Sequence, residues 1–412
     1  MSPWITVIGV GDDGLAGLSE AARALVAGAE LLVGGDRHQA MVPDTSAARL
    51  TWAAGLRETM DEMAKWRGRR VVVLATGDPM YYGAGANLTR RFAPADLFVI
   101  PHPGAFALAC ARMLWSAADV ELVTVHGRPL ETLNLHIAPW VRLVTLSQDG
   151  GTPAQVAKLL TERGFGGSPI SVFEHMGGPE ENRVDGTAET WGERRTADLN
   201  TIAVECRPGP DARVLPRVPG LADDLFEHDG QITKREVRAV TVSALAPRAG
   251  AVLWDVGAGS GSVGIEWLRT APPLKAVEKG HAEARCVAFE RDPGRAAAAA
   301  RNAAAMGVPR LRVVTAAAPD AFAAEEARPD AVFVGGGISA PGLLNACWDA
   351  LAPGGLFVAN AVTLEAEQAL MAFRAARGGE FIRIAIEREK KIGSLTRMEP
   401  LAPVLQYRGI KT

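Results

Sequence analysis

Residues 253–266 read Leu-Trp-Asp-Val-Gly-Ala-Gly-Ser-Gly-Ser-Val-Gly-Ile-Glu, and no other stretch restricts the fold as much. An apolar run, a turn with glycine at 257, 259 and 261, and apolar residues at helical spacing predict strand, tight turn and helix in succession. A strand that passes through a glycine turn straight into a helix opens a parallel βαβ unit. Such a turn carries no side chains, so a ligand can lie against its backbone. The second half of the chain is therefore expected to be an α/β sheet with a ligand at the carboxyl ends of its strands.

Two cofactors compete for this turn. Gly259-Ser260-Gly261-Ser262-Val263-Gly264 fits the G-x-G-x-x-G string of dinucleotide sites, which set a pyrophosphate on the helix N-terminus and an acid about 20 residues on against the ribose. Asp255 favours S-adenosylmethionine (SAM). A carboxylate two residues before the first glycine, placed at the mouth of the turn, repels a pyrophosphate but accepts hydrogen bonds from an amino-acid ammonium. Cys286-Val287-Ala288-Phe289-Glu290 predicts a second buried strand whose terminal acid holds ribose hydroxyls, its spacing lengthened by a polar insert at 272–283. A turn that is structural only is a third reading.

Gln231-Ile232-Thr233-Lys234-Arg235-Glu236-Val237-Arg238, the Asp255 loop, Pro329-Asp330-Ala331-Val332-Phe333-Val334-Gly335-Gly336-Gly337 and Pro353-Gly354-Gly355-Leu356-Phe357-Val358 together resemble the precorrin decarboxylase/C15-methyltransferase family. The likeness covers nearly everything after residue 225. It implies SAM contacts from Thr233, from Gly257, Ala258, Gly259, Ser260 and Gly261, from Glu290, and from Ala317 and Ala318. Where relatives usually carry Gly-Asp-Ala-Pro, this chain has Ala316-Ala317-Ala318-Pro319, so only backbone can meet the adenine there.

The first half offers a similar opening. Trp4-Ile5-Thr6-Val7-Ile8-Gly9-Val10 predicts a strand running into Gly11, Gly14 and Gly17, and Arg70-Val71-Val72-Val73-Leu74-Ala75 a central parallel strand. Thr76-Gly77-Asp78-Pro79-Met80-Tyr81-Tyr82-Gly83 and Pro101-His102-Pro103-Gly104-Ala105-Phe106 are strand-to-helix turns, the usual ligand position in an open parallel sheet. With Phe173-Glu174-His175-Met176-Gly177-Gly178-Pro179-Glu180 and Asn200-Thr201-Ile202-Ala203-Val204, they resemble the tetrapyrrole methylase family across residues 1 to about 207, in the branch that methylates C5 of precorrins. That likeness implies SAM held between two α/β lobes by Gly9, Gly77, Asp78, Met80, Gly83 and Ala105. Asp78 reads equally well as a turn-capping residue.

Both families in this order resemble the bifunctional C5- and C15-methylating, decarboxylating family of cobalamin biosynthesis. The implied fold is α/β, a two-lobed tetrapyrrole methylase domain (1–207), a linker (208–229) rich in proline and acids, and a Rossmann-like SAM-dependent methyltransferase domain (230–412). The implied reaction methylates C5 and C15 of a precorrin of the precorrin-6B type and removes the ring C acetate carboxyl to give precorrin-8, with one SAM per domain. A substrate with many carboxylates calls for cations. Lys234, Arg235, Arg238 and Arg397 are candidates, against the ordinary reading of Lys and Arg as solvated surface charge. No residue presents itself as the proton donor for decarboxylation.

With 44 Lys and Arg against 47 Asp and Glu there is no basic excess for nucleic acid. The four cysteines show no C-x-x-C pair and the histidines no metal-ligand spacing, so no metal is expected and reduced thiols in a cytoplasmic protein are. No apolar run reaches the ~18 residues of a membrane span, and no basic leader precedes residue 4. Family likeness adds self-association into a homo-oligomer. An RNA methyltransferase, which shares the first domain's fold, is disfavoured by charge and by the lack of N-P-P-Y. An NAD-dependent oxidoreductase is disfavoured by Asp255, and a non-catalytic tetrapyrrole carrier stays open.

Overall fold

The structure, a computed structural model, describes residues 3–273 and 283–412, so the insert expected at 272–283 lies almost wholly outside the described residues. The chain divides into two compact units, 1–130 with 136–214 and 131–135 with 215–412.

The first unit has two sheets. One joins β1 (Ile5–Val10), β2 (Leu31–Val33), β3 (Ala48–Leu50), β4 (Val71–Thr76) and β5 (Leu97–Ile100) in the order β3-β2-β4-β1-β5. All its pairings are parallel. Both faces are covered: Ile5, Val7, Val71 and Val73 enter one core and Ile8, Val10, Val72 and Leu74 the other. That is why these strands read as unbroken apolar runs. The second sheet joins β6 (Glu121–Thr124), β7 (Arg142–Leu146), β8 (Pro169–Glu174), β9 (Asn182–Thr187) and β10 (Asn200–Glu205) in the order β6-β7-β10-β8-β9, antiparallel apart from β6 with β7. The helix Ala105–Met113, which follows β5, lays Phe106, Ala109 and Cys110 on Val144, Phe173 and Ala203 of this sheet, tying the lobes together.

The second unit is one seven-stranded sheet. It comprises β11 (Val252–Val256), β12 (Arg285–Glu290), β13 (Arg312–Thr315), β14 (Ala331–Val334), β15 (Leu356–Ala361), β16 (Glu380–Ile384) and the last strand, β19 (Val404–Ile410), in the order β13-β12-β11-β14-β15-β19-β16. The first five are parallel and β19 runs antiparallel between β15 and β16. Between β16 and β19 the chain makes an exposed hairpin, β17 (Glu387–Ile392) with β18 (Leu395–Pro400), which the sequence pattern does not announce. Strand order reverses between β11 and β14, the switch point at which such sheets open a crevice.

The units part inside 208–229, but not all of that segment is linker. Leu215, Leu221 and Phe226 are buried in the second unit's core. The backbone N–H groups of Gly220 and Leu221 donate to Glu266, and Arg269 donates to the Leu215 carbonyl. Prolines limit regular structure here to a single 3-10 turn, Asp223–Leu225, yet the apolar residues among them are anchored like core residues. All four cysteines are buried and form no disulfide. Among the described residues no helix is long and apolar enough to cross a membrane, and no group of acids, histidines and cysteines could hold a metal ion.

Candidate functional site

In the second unit a cavity of about 690 Å³ opens over the turn after β11. Gly257, Ala258, Gly259, Ser260, Glu290, Ala317, Ala318, Thr233 and Lys234 all line it. The turn exists because of its backbone. Gly257 holds φ +70°, and a Cβ on it would lie 2.7 Å from the Gly336 nitrogen in the loop after β14. Any side chain there would close the switch point. Glu290 fastens the turn: one carboxylate oxygen accepts from Gly259 N–H at 2.8 Å and the other from Asp292 N–H at 2.9 Å. The carboxylate lies beside the cavity with lone pairs to spare for hydroxyl donors.

Several expected contacts fall elsewhere. Asp255 is fully buried and does not line the cavity. Its Oδ2 accepts from Gly264 N–H at 2.9 Å, in the helix Ser262–Thr270, and its Oδ1 has no partner. Burial, opposed by that hydrogen bond and reinforced by the charge of Glu290, raises its carboxyl to about 7. Asp255 therefore does not stand at the mouth of the turn, where it was expected to meet a ligand; the acid that faces the cavity is Glu290. Gly261 caps the same helix in the left-handed region and packs on Ala299, off the cavity wall. Trp254 packs on Phe289 and Phe322 in the core.

The cation expectations separate in the same way. Lys234 lines the cavity. Arg235 is exposed and away from it. Arg238 is wholly buried, with Nε 2.7 Å from Glu266, Nη1 3.0 Å from Asp223, and bonds to the Thr233 and Leu221 carbonyls. It is a structural cation, not a substrate ligand, because the side chain is wholly buried and four of its five N–H donors are already taken within the unit. Arg397 sits on the hairpin paired with Glu399, which also takes Lys390. Arg291 and Arg295, unremarked in the sequence, do line the cavity. Arg295 pairs with Asp229 at 2.7 Å, whereas Lys234 and Arg291 have no ion pair among the described residues.

Beyond the turn the wall is apolar: Leu343, Val362, Ile386, Leu401, Ala402 and Val404. Asn360, at the end of β15, is the polar side chain on that side. Its Nδ2 donates to Thr241 at 2.9 Å and its Oδ1 accepts from Gln406 at 2.9 Å, leaving one N–H and one lone pair for a ligand. A lone Asn at a strand end gave no signal in the sequence. A backbone cradle, one acid for hydroxyls and a large apolar chamber fit an adenosine-bearing cofactor beside a bulky, mostly apolar acceptor.

In the first unit the loops after β1, β4 and β5 converge. A Cβ on Gly9 would lie 2.1 Å from the Gly77 carbonyl oxygen and 2.7 Å from the His102 nitrogen, so only glycine permits the approach. Gly77 meets Gly104 in turn, and Gly83 caps the helix Ala84–Arg91 that follows. Ala105 begins the helix on the other side. Asp78 Oδ1 accepts from Met80 N–H at 2.8 Å, the turn-capping role. Met80, Tyr81 and Tyr82 are exposed, with both tyrosines against Phe106 and Arg128 over the Tyr82 ring. Aromatic faces left open beside a backbone ledge offer a platform for a flat, conjugated ligand.

Comparison with known proteins agrees with this layout. Residues 5–191 match the family of tetrapyrrole (corrin/porphyrin) methylases, and residues 224–411 match the precorrin methyltransferase domain. A precorrin-6Y C(5,15)-methyltransferase [decarboxylating] from Sinorhizobium sp is 44% identical over 412 residues, covering 100% of this chain and 97% of that protein. One of the same description from Mycobacterium tuberculosis is 41% identical, covering 98% of each. A probable cobalt-precorrin-6B C(15)-methyltransferase (decarboxylating) from Pyrobaculum calidifontis is 35% identical, covering 45% of this chain and 93% of its own.

Proposed function

The chain belongs to the precorrin-6Y C5,15-methyltransferase (decarboxylating) family, and on that footing we propose that it methylates C5 and C15 of a precorrin and decarboxylates its ring C acetate in cobalamin biosynthesis. The substrate is of the precorrin-6B type and the product precorrin-8. The first unit carries the C5 step and the second the C15 and decarboxylation steps, each with its own SAM, in a cytoplasmic homo-oligomer. Ile392, Leu395 and Met398, exposed on the β17–β18 hairpin, support self-association.

The observation that carries the reading is the cavity over the Gly257 turn, where a side-chain-free cradle and Glu290 adjoin an apolar chamber. SAM supplies an electrophilic methyl group that needs no activation by the protein. What the residues must do is orient. The Gly257–Ser260 backbone and Glu290 hold the donor end, and the chamber aligns the acceptor, a positioning effect worth up to ~7–11 kcal/mol. Lys234 and Arg291 meet peripheral carboxylates. The apolar wall around Asn360 suits the acetate that is decarboxylated, since desolvation destabilises the carboxylate and the pair of the breaking C–C bond passes into the conjugated macrocycle as carbon dioxide departs.

The test is calorimetric titration of the full chain with SAM and with NAD, then the same for Gly9→Ala and Gly257→Ala. Two SAM sites, one removed by each substitution, and no NAD binding support the reading. Binding of NAD at the Gly257 site in place of SAM overturns it.

A further inference from the structure

A meso carbon carries one hydrogen. When it gains a methyl group and stays within the conjugated system, that hydrogen must leave as a proton, and some group must receive it. The first unit contains a pair built for this, placed beside the convergence of the Gly9, Gly77 and Gly104 loops. Asp12, on the loop after β1, accepts from His175 Nδ1 through Oδ2 at 3.0 Å. Its other oxygen takes the Arg37 guanidinium at 2.5 Å. Arg37 in turn donates to Thr76 Oγ1, at the end of β4.

His175 comes from the other lobe, one residue past β8, and the local structure holds it there. Its backbone sits at φ +47°, an uncommon conformation for a residue with a side chain. A Cβ on Gly178 would lie 2.5 Å from Asp12 Oδ2, so the chain can pass the carboxylate only as glycine. A Cβ on Gly177 would lie 3.8 Å from Leu108 Cδ1 of the helix that Ala105 begins. The loop carrying His175 is thus pinned between the two turns that form the cofactor ledge. With Nδ1–H committed to Asp12, the Nε2 lone pair is free, and it has no partner among the described residues. The neighbouring histidines are less well arranged for the task. His38 is held down at about 4 by burial and by Arg37, and His102 carries no carboxylate partner, its Nδ1 lying against the Pro103 carbonyl.

We propose that His175, oriented by Asp12, is the proton acceptor for C5 methylation, and that Arg37 fixes Asp12 for the task. In the step, the C5 π pair forms the new C–C bond as the methyl carbon–sulfur bond breaks and its pair stays on sulfur. The C5–H bond then breaks, its pair restores the conjugation, and the proton goes to His175 Nε2. The proposal rests on the first unit being the C5-methylating one.

The experiment uses the full chain with its precorrin substrate, following C5 methylation and carbon dioxide release by mass, and SAM affinity by calorimetry. His175→Ala lowers kcat for C5 methylation by about 10²–10⁴-fold, the usual worth of a general base, with KM and both SAM affinities unchanged. Added imidazole restores part of the rate, and substrate deuterated at C5 shows a primary isotope effect absent from the parent. His175→Gln behaves alike. Asp12→Asn loses less and is not rescued by imidazole, the mark of a positioning residue. Carbon dioxide release proceeds normally in all three. A C5 rate within about fivefold of the parent in either His175 variant overturns the proposal, as does a loss that comes with lost SAM binding and no imidazole rescue, which would make the pair a clamp between lobes. Failure of the parent chain to methylate C5 at all sinks the functional reading instead.

Discussion

Asp255→Asn separates the structural role of this acid from a ligand role. In the parent, burial raises the carboxyl from its ordinary 3.8 to about 7. A raised carboxyl binds its proton in the folded state at pH values where the unfolded chain has released it. The contribution is therefore fully present below about 4 and is lost as pH rises through about 7. Linkage between those two values gives a cost to the parent of roughly 2 kcal/mol at pH 5 and roughly 4 kcal/mol at pH 8, taking about 1.4 kcal/mol per pKa unit. Asparagine keeps an oxygen for Gly264 N–H and has no charge to lose. Its unpaired amide has a constant cost that cancels between two pH values. The variant, free of ligand, should thus gain about 2–3 kcal/mol on the parent between pH 5 and pH 8. Hydrogen exchange at the β11 and β12 amides, corrected for intrinsic rates, reports opening of this unit alone. A difference between the proteins that does not change with pH would refute the reasoning. It would mean that Asp255 is ionised at little cost and faces a cation or water rather than the helix.

The same exchange measurement tests Arg238→Met, which leaves Glu266 and Asp223 without their guanidinium and should destabilise the second unit by about 3–5 kcal/mol. A stable variant with a raised substrate KM would return Arg238 to the substrate site. Glu290→Gln keeps the shape of the turn but weakens its hold on Gly259 and on ribose hydroxyls, so calorimetry should find SAM bound about 10–100-fold more weakly in the second unit and unchanged in the first. Gly9→Ala, whose Cβ has no room beside the Gly77 carbonyl, should abolish C5 methylation while carbon dioxide release continues. Loss of both activities would show that the two units depend on each other.

The sequence made the strands, the glycine turns that follow them and both family likenesses legible because each is a local signal. It misplaced Asp255 for a reason that periodicity itself contains. Side chains alternate along a strand. Trp254 and Val256 enter one core and Leu253 the other, so Asp255 shares the face of Leu253, under the helix Ser262–Thr270. Reading the acid by its distance from the first glycine ignored which face it was on. Arg238 failed similarly: it lies one helical turn from Thr241 on the buried stripe of Arg235–Ala244, and the carboxylates that make burial tolerable come from Glu266 and Asp223, far along the chain. Leu215, Leu221 and Phe226 were hidden by the prolines around them. Asn360, Arg291 and the Asp12–His175 pair depend on tertiary approach, which no spacing encodes.

The placement of these charges bears on how the protein works. Charged residues close to the glycine turns in sequence proved to be scaffold: Asp255 seats the first turn of a helix, Arg238 joins three segments of the second unit, and Asp78 caps its own turn. The cofactor cradles themselves are backbone and small side chains. The polar side chains that reach the candidate sites come from later in the chain, Glu290 and Asn360 at the cavity of the second unit and, in the proposal above, His175 in the first. Each is locked by neighbours before any ligand arrives, Glu290 by two backbone N–H groups, Asn360 by Thr241 and Gln406, and His175 by Asp12. Preorganised groups of this kind do not have to be ordered by the substrate. The binding energy of a large tetrapyrrole is then free to align the attacked carbon with the methyl group.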